Sequence, residues 1–102
     1  MTYGEFELLD SRDIELFKQA KELGDYLVVV IIDDGLGVFE RPVNHRKEIL
    51  EAVRYVDEVI IKTKGESLEQ LVNDANIALI LIQEQWKQNF KQLNLNCEII
   101  YN

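Results

Sequence analysis

The sequence has few residues that could form disulfides or break helices and strands, and it has no long apolar run. It contains one cysteine, one proline and one methionine. A lone Cys97 can form no disulfide within the chain, which fits a reducing compartment. The longest apolar run, Leu27 to Ile32, has six residues, whereas a membrane-spanning helix needs about 20. We therefore expect neither a disulfide framework nor a membrane span.

Basic residues are also scarce. Eleven Lys and Arg stand against 19 Asp and Glu, which gives a net charge of −8. Such a chain repels polyanions, so nucleic acid and anionic membranes are poor candidates for partners. The first residues, Met1 to Glu5, do not resemble a secretory signal, because no basic segment precedes an apolar one. These features predict a cytoplasmic protein.

What is present is the composition of one folded domain. A length of 102 residues suits a single core. Hydrophobic residues make up 47% and charged residues 29%, which leaves little scope for disorder. No internal repeat or linker divides the chain. We predict a single domain over residues 1–102.

Short β-rich runs alternate with helical runs along the chain. Tyr26 to Ile32 is almost entirely apolar and β-branched, as in a strand covered on both faces. From Ser11 to Leu23 apolar residues recur at three-residue steps, as in an amphipathic helix. Asp10 or Ser11 could cap this helix, and we expect Gly24 in the left-handed conformation just after its end. Further strands are predicted at about 2–6, 58–61, 77–82 and 98–101, and further helices from about 44, at 68–75 and at 86–93.

This alternation predicts a Rossmann-like, doubly wound α/β fold with a mainly parallel five-stranded sheet and helices on both faces. In such folds ligands bind beyond the carboxyl ends of the strands. Residues 4–13, 33–44 and 83–86 are therefore the loops to search. None contains the glycine-rich phosphate loop of dinucleotide-binding or P-loop proteins.

Three segments carry a family resemblance. They are Tyr3 to Leu9, Ala20 to Val29 and His45 to Ile60. Over these segments, and in order along nearly the whole chain, the sequence resembles the cytidylyltransferase-like nucleotidyltransferases. The resemblance implies an enzyme that joins CTP to a phosphorylated alcohol, such as glycerol 3-phosphate, with release of pyrophosphate. It implies Mg²⁺ accompanying CTP if the chain is active, and no other cofactor.

The chain departs from the family pattern at the catalytic motif. The family's His-x-Gly-His motif, whose histidines steady the phosphates in the transition state, is matched here by Asp10, Ser11, Arg12 and Asp13. Asp10 and Asp13 are anionic near pH 7 and would repel a triphosphate. No residue is therefore assigned a catalytic role.

Other family positions have changed in the same direction. Glu5 stands where the family has Thr, and Glu7 stands where it has Asp. The loop between Asp34 and His45 is short and lacks the lysines of the family. Acidic side chains crowding one end of the sheet could instead bind Mg²⁺ or Ca²⁺, but those ions need a convergent cage that spacing alone does not build. We predict no metal site.

Some family positions are retained. The resemblance implies that Arg46, Asp34 and Trp86 are remnants of a nucleotide-binding site, with an exposed arginine paired to a neighbouring acid as the alternative for Arg46. Arg54, Tyr55 and Asp57 match a segment that lies at or near the subunit contact in the family.

That segment predicts a homodimer, the alternative being that Tyr55 only packs a helix end onto the sheet.

Two functional hypotheses follow for the chain as a whole. One is a cytidylyltransferase fold whose transferase activity is absent or strongly impaired, with weak or no CTP binding. Such a chain would be either a natural pseudoenzyme or an engineered variant, and would act as a dimerising scaffold. The other is an active transferase that moves CMP from CTP to glycerol 3-phosphate or a similar small phosphate ester.

Overall fold

The computed structural model describes residues 1–33 and 42–102. In these ranges strands and helices alternate along the chain. They are β1 (Thr2–Gly4), α1 (Ser11–Leu23), β2 (Val28–Asp33), α2 (Val43–Glu51), β3 (Glu58–Thr63), α3 (Leu68–Asp74), β4 (Leu79–Ile82), α4 (Lys87–Lys91) and β5 (Glu98–Tyr101), with a 3₁₀ turn at Glu84–Trp86 before α4.

The strands pair in parallel. β1 lies beside β2 with Thr2 opposite Val29, and β2 lies beside β3 with Val28 opposite Glu58. β4 pairs with β5 in the same sense. The β1-β2-β3 and β4-β5 groups lie next to each other at β1 and β4.

Met1 joins these two groups of strands. Its nitrogen donates to the carbonyl of Leu79 at 2.8 Å, and its carbonyl accepts from the amide of Leu81 at 2.9 Å. Leu79 and Leu81 are the two neighbours of Ile80, and a residue that bonds to both neighbours of the residue opposite it is the pattern of parallel strands. The strands therefore stand in the order β3-β2-β1-β4-β5, but as a three-stranded and a two-stranded parallel sheet that hydrogen bonds of Met1 connect. The single five-stranded sheet expected from the sequence is divided between β1 and β4, because β1 is too short to continue the pairing beyond Met1.

Two apolar layers enclose this sheet. On one face the strand residues Val29 and Ile31 pack with Phe17 of α1 and Leu50 of α2. On the other face Val28, Val30, Ile80 and Ile82 pack with Leu68 and Val72 of α3 and Phe90 of α4. Because alternate residues of a strand point to opposite faces, an unbroken apolar run such as Val28 to Ile31 serves both layers. The doubly wound, parallel α/β fold expected from the sequence is confirmed.

The helix ends differ from expectation in one respect. Gly24 is extended, with φ −146° and ψ −176°, and not left-handed. The chain bends at residues 24–26 between α1 and β2, and Lys21 Nζ donates to the carbonyl of Asp25 at 3.1 Å. The left-handed residue follows α3 instead, where Asn76 has φ 54° and the amide of Ile77 donates to the carbonyl of Val72.

That turn also delays β4, which begins at Leu79 and not at residue 77. β1 is likewise shorter than expected. Phe6 has φ 48°, a left-handed backbone that no strand can contain, so extended pairing stops at Gly4. α4 is also shorter than the predicted helix at 86–93: it begins at Lys87, directly after the 3₁₀ turn, and ends at Lys91.

Candidate functional site

A cavity of about 250 Å³ lies at the carboxyl ends of β1 and β4. The helix that follows β1 covers one face of the strands, and the helix that follows β4 covers the other face. In open α/β sheets, ligands bind at such a switch point. The cavity is lined by Gly4, Glu5, Phe6, Glu7, Leu8 and Asp13 from the β1–α1 segment and by Gln83, Gln85 and Trp86 after β4. It is the position at which this fold places chemistry.

The β1–α1 segment has an unusual backbone held by aromatic packing. The ring of Phe6 lies edge-to-face with Phe17, with centroids 5.3 Å apart. A Cβ at position 4 would lie 3.0 Å from Cζ of the Phe6 ring. Glycine at position 4 therefore permits the close approach that keeps Phe6 in its left-handed conformation.

Two aspartates cap the first turn of α1. Asp10 Oδ1 accepts from the amides of Arg12 at 2.9 Å and Asp13 at 3.2 Å, and Asp13 Oδ2 accepts from the amide of Asp10 at 3.1 Å. This reciprocal capping box confirms Asp10 as the cap expected from the sequence. Helix amides are the groups that attract phosphate, and two of them here already bind a carboxylate.

The titration of these aspartates follows their surroundings. The amide of Asp13, together with Arg12, holds the pKa of Asp10 below its ordinary value. Partial burial raises the pKa of Asp13. Arg12 pairs with Asp10 at 3.5 Å in full solvent.

The described lining of the cavity carries acidic and neutral side chains but no Lys, Arg or His. Three of the acids singled out in the sequence, Glu5, Glu7 and Asp13, meet there. Asp10, the fourth, stands beside them as the helix cap. The charged side chains in the described part of the lining are therefore all acidic.

Arg46 lies close to this segment but is buried. Its side chain is 2% exposed, and Nη1 donates to the carbonyl of Glu5 at 2.7 Å and to that of Ile32 at 3.4 Å. These contacts tie α2 to the carboxyl ends of β1 and β2. The alternative of an exposed arginine is therefore wrong, while a contact between Arg46 and a nucleotide stays a prediction.

The other two nucleotide-site predictions fall differently. Trp86 lines the cavity, and its ring lies edge-to-face with Tyr3 at 5.3 Å between centroids. Asp34 lies outside the described residues. Sequence analysis gave no role to Gln83 and Gln85, although their position directly after β4 was a signal that they would meet the β1–α1 segment.

The predicted dimer residues make contacts within the chain. The guanidinium of Arg54 lies 5.5 Å from the centre of the Tyr55 ring. Asp57 accepts from the amide of Leu27 at 2.7 Å and pairs with Lys21, which lowers the pKa of its carboxyl group. These contacts join α1, β2 and β3, and a subunit contact at this segment stays a prediction.

Within residues 1–33 and 42–102, no three or more His, Cys, Asp or Glu side chains are grouped to hold a metal ion.

None of the described helices has the length and apolar character needed to cross a bilayer.

Comparison with known proteins gives a consistent result. The sequence description of the cytidylyltransferase-like family matches residues 1–102. The chain is 41% identical to glycerol-3-phosphate cytidylyltransferase of Bacillus subtilis, over 99% of this chain and 82% of that protein. It is 36% identical to FAD synthase of Thermococcus kodakarensis, over 95% of this chain and 74% of that protein.

A solved structure extends the likeness to the fold. The lipopolysaccharide core biosynthesis protein of Thermoplasma volcanium superposes with a TM-score of 0.82, covering 99% of this chain and 92% of that one. Sequence identity in this pair is 22%, so it supports the architecture alone.

Proposed function

Because the chain belongs to the cytidylyltransferase-like family, we propose that it is a member whose transferase activity is absent or strongly impaired. One observation carries the proposal. At the switch point, where the reacting triphosphate of a nucleotide has to sit, Glu5, Glu7 and Asp13 line the cavity without a basic side chain among its described residues. A site for phosphates needs the opposite sign of charge.

The size of the electrostatic effect supports this direction. Two like charges about 6 Å apart, at an effective dielectric constant of about 20, repel by about 3 kcal/mol. A helix terminus attracts an anion by only about 0.3–1 kcal/mol when exposed. At α1 that attraction is already directed to Asp10, whose carboxylate accepts from two of the terminal amides. Several carboxylates therefore outweigh the remaining attraction for a triphosphate.

Titration calorimetry with CTP and Mg²⁺ tests the proposal. We expect no saturable heat at CTP concentrations of about 1 mM, which corresponds to a binding free energy weaker than about −4 kcal/mol. Binding in the low micromolar range would contradict it. A parallel assay for pyrophosphate release from CTP and glycerol 3-phosphate should show none above the uncatalysed rate.

A charge-restoring variant gives the matched comparison. Glu5→Thr, Asp10→His and Asp13→His together return three positions to the family pattern. We expect this variant to bind CTP at least tenfold more tightly than the parent chain. A control with Glu15→Gln, Glu22→Gln and Glu51→Gln removes three exposed charges elsewhere and should leave CTP binding unchanged. Equal gains in both variants would show that net charge, and not the cavity, sets the affinity.

A second function has an observation in its favour. The identity of 41% with a glycerol-3-phosphate cytidylyltransferase supports an active enzyme that transfers CMP from CTP, bound with Mg²⁺, to glycerol 3-phosphate or a similar small phosphate ester. Arg46 and Trp86 would then remain nucleotide contacts. Turnover that Trp86→Ala abolishes, in a variant whose circular dichroism is unchanged, would establish this alternative.

The proposal includes a dimerising scaffold. Its support is the segment of Arg54, Tyr55 and Asp57, where an arginine stacks on an aromatic ring beside an ion pair. Light scattering coupled to size exclusion should give twice the mass of 11.9 kDa. Tyr55→Arg should shift the mass to that of a monomer, while Tyr26→Arg, at a tyrosine that is 61% exposed, should not. A monomeric parent chain removes this part of the proposal.

A further inference from the structure

A second cavity lies at the amino-terminal end of the sheet, opposite the candidate site. Its volume is about 320 Å³, within the range of about 300–1,000 Å³ found for small-molecule sites. Its walls come from the end of α1, the α1–β2 loop, the α3–β4 loop, Met1 and residues of β2, β3 and β4. The proposed function makes no use of this end of the fold, because nucleotides of such domains bind at the carboxyl ends of the strands.

Most of the lining of this cavity is apolar. The apolar members are Met1, Ala20, Leu23, Val28, Ala75, Ile77, Ala78, Leu79 and Leu81. Two of the lining residues, Leu23 and Tyr26, are 52% and 61% exposed. With Leu8 they are the large hydrophobic side chains exposed in the described part of the chain. Exposed apolar surface beside a cavity is typical of a binding site.

The charged side chains that line the cavity are acidic. Asp25 and Glu58 supply carboxylates, and the hydroxyl of Tyr26 donates to Glu58 Oε1 at 3.2 Å. Among the described lining residues there is no Lys, Arg or His. The amino group of Met1 donates to the carbonyl of Leu79, and burial lowers its pKa to about 6. An apolar interior with an anionic edge complements a cation that carries an apolar body.

Hydrogen bonds hold the walls in place before any ligand arrives. Lys21 Nζ donates to the carbonyl of Asp25 at 3.1 Å and also pairs with Asp57. On the facing wall the amide of Ile77 donates to the carbonyl of Val72 at 3.3 Å. A cavity with fixed walls binds a ligand without the cost of ordering loops.

We propose that this cavity binds a small organic cation, an amine joined to an aromatic or branched aliphatic body. The body occupies the apolar interior, and the ammonium group meets the carboxylates of Asp25 and Glu58. This site is separate from the switch-point cavity, so its occupancy does not depend on whether the chain transfers nucleotides.

The experiment is an amide chemical-shift titration of the isotope-labelled chain at about pH 7.5, where an alkylamine is protonated. The probes are 2-phenylethylamine and 2-phenylethanol, which share an apolar body and differ in charge. We expect saturable shifts around Leu23, Tyr26 and Ala78, with an amine Kd on the order of 1 mM. The alcohol should bind at least threefold more weakly.

Variants separate the charge from the cavity. Glu58→Gln should weaken amine binding at least threefold and leave alcohol binding unchanged, whereas Glu51→Gln, an exposed change on α2, should alter neither. Ala78→Leu, which fills space, should weaken both probes. The proposal is overturned by the absence of saturable shifts up to about 20 mM amine, by equal affinities for the two probes, or by shifts confined to residues 5–8.

Discussion

Replacing Arg46 by methionine tests how the β1–α1 segment is held. Methionine keeps much of the length of the side chain but has no donor. The carbonyls of Glu5 and Ile32 lose the guanidinium that lies 2.7 Å and 3.4 Å from them. A hydrogen bond to a charged group contributes about 1.5–3 kcal/mol, and the longer contact adds less. We expect a loss of about 2–4 kcal/mol in the free energy of unfolding.

Urea unfolding followed by circular dichroism measures this loss. For a domain of about 100 residues, 1 kcal/mol shifts the Tm by about 4–8 °C, so thermal unfolding should show a fall of at least about 8 °C. Arg46→Lys retains the charge but not the planar guanidinium group, so its stability should lie between those of the parent chain and Arg46→Met. Arg54→Met, at an exposed arginine, should cost less than about 0.5 kcal/mol. An Arg46→Met variant as stable as Arg54→Met would refute the reasoning.

Three further changes test other contacts. Gly4→Ala places a Cβ 3.0 Å from the Phe6 ring and should cost about 1–3 kcal/mol of unfolding free energy in urea; no loss would mean that the ring moves freely. Ser67→Ala removes the acceptor of a 3.2 Å bond from the amide of Gln70 and should cost about 1 kcal/mol, and a cost near zero would show that solvent caps α3 equally well. Asp57→Asn should cost about 1–2 kcal/mol at neutral pH. The folded pKa of Asp57 lies below its ordinary value of 3.8. The stability that its carboxylate contributes is therefore present above pH 3.8 and is lost as the pH falls through the lowered pKa, so the cost of the substitution should shrink in acid. A cost independent of pH would contradict the ion pair.

Much of the fold follows from local sequence. The apolar run of β2 could only be a strand covered on both faces, and α1 has the bounds that its apolar spacing and Asp10 predict. The errors arose where backbone geometry depends on tertiary contacts. Phe6 is left-handed because its ring packs on Phe17 beside Gly4, and no local signal shows that packing.

The candidate site was predictable in its chemistry more than in its geometry. Glu5, Glu7 and Asp13 could be placed at one end of the sheet because they follow β1 in sequence. The burial of Arg46 could not be foreseen, because an arginine on a short helix is usually exposed. Its carbonyl partners, Glu5 and Ile32, are distant from it in sequence. Asp34 lies outside the described residues.

The most direct test of an anionic, non-catalytic site is to incubate the purified chain with CTP, Mg²⁺ and glycerol 3-phosphate and follow CDP-glycerol by phosphorus NMR. We expect no product above the uncatalysed background. Accumulation at an ordinary enzymatic turnover of about 1 s⁻¹ or faster would contradict the proposal.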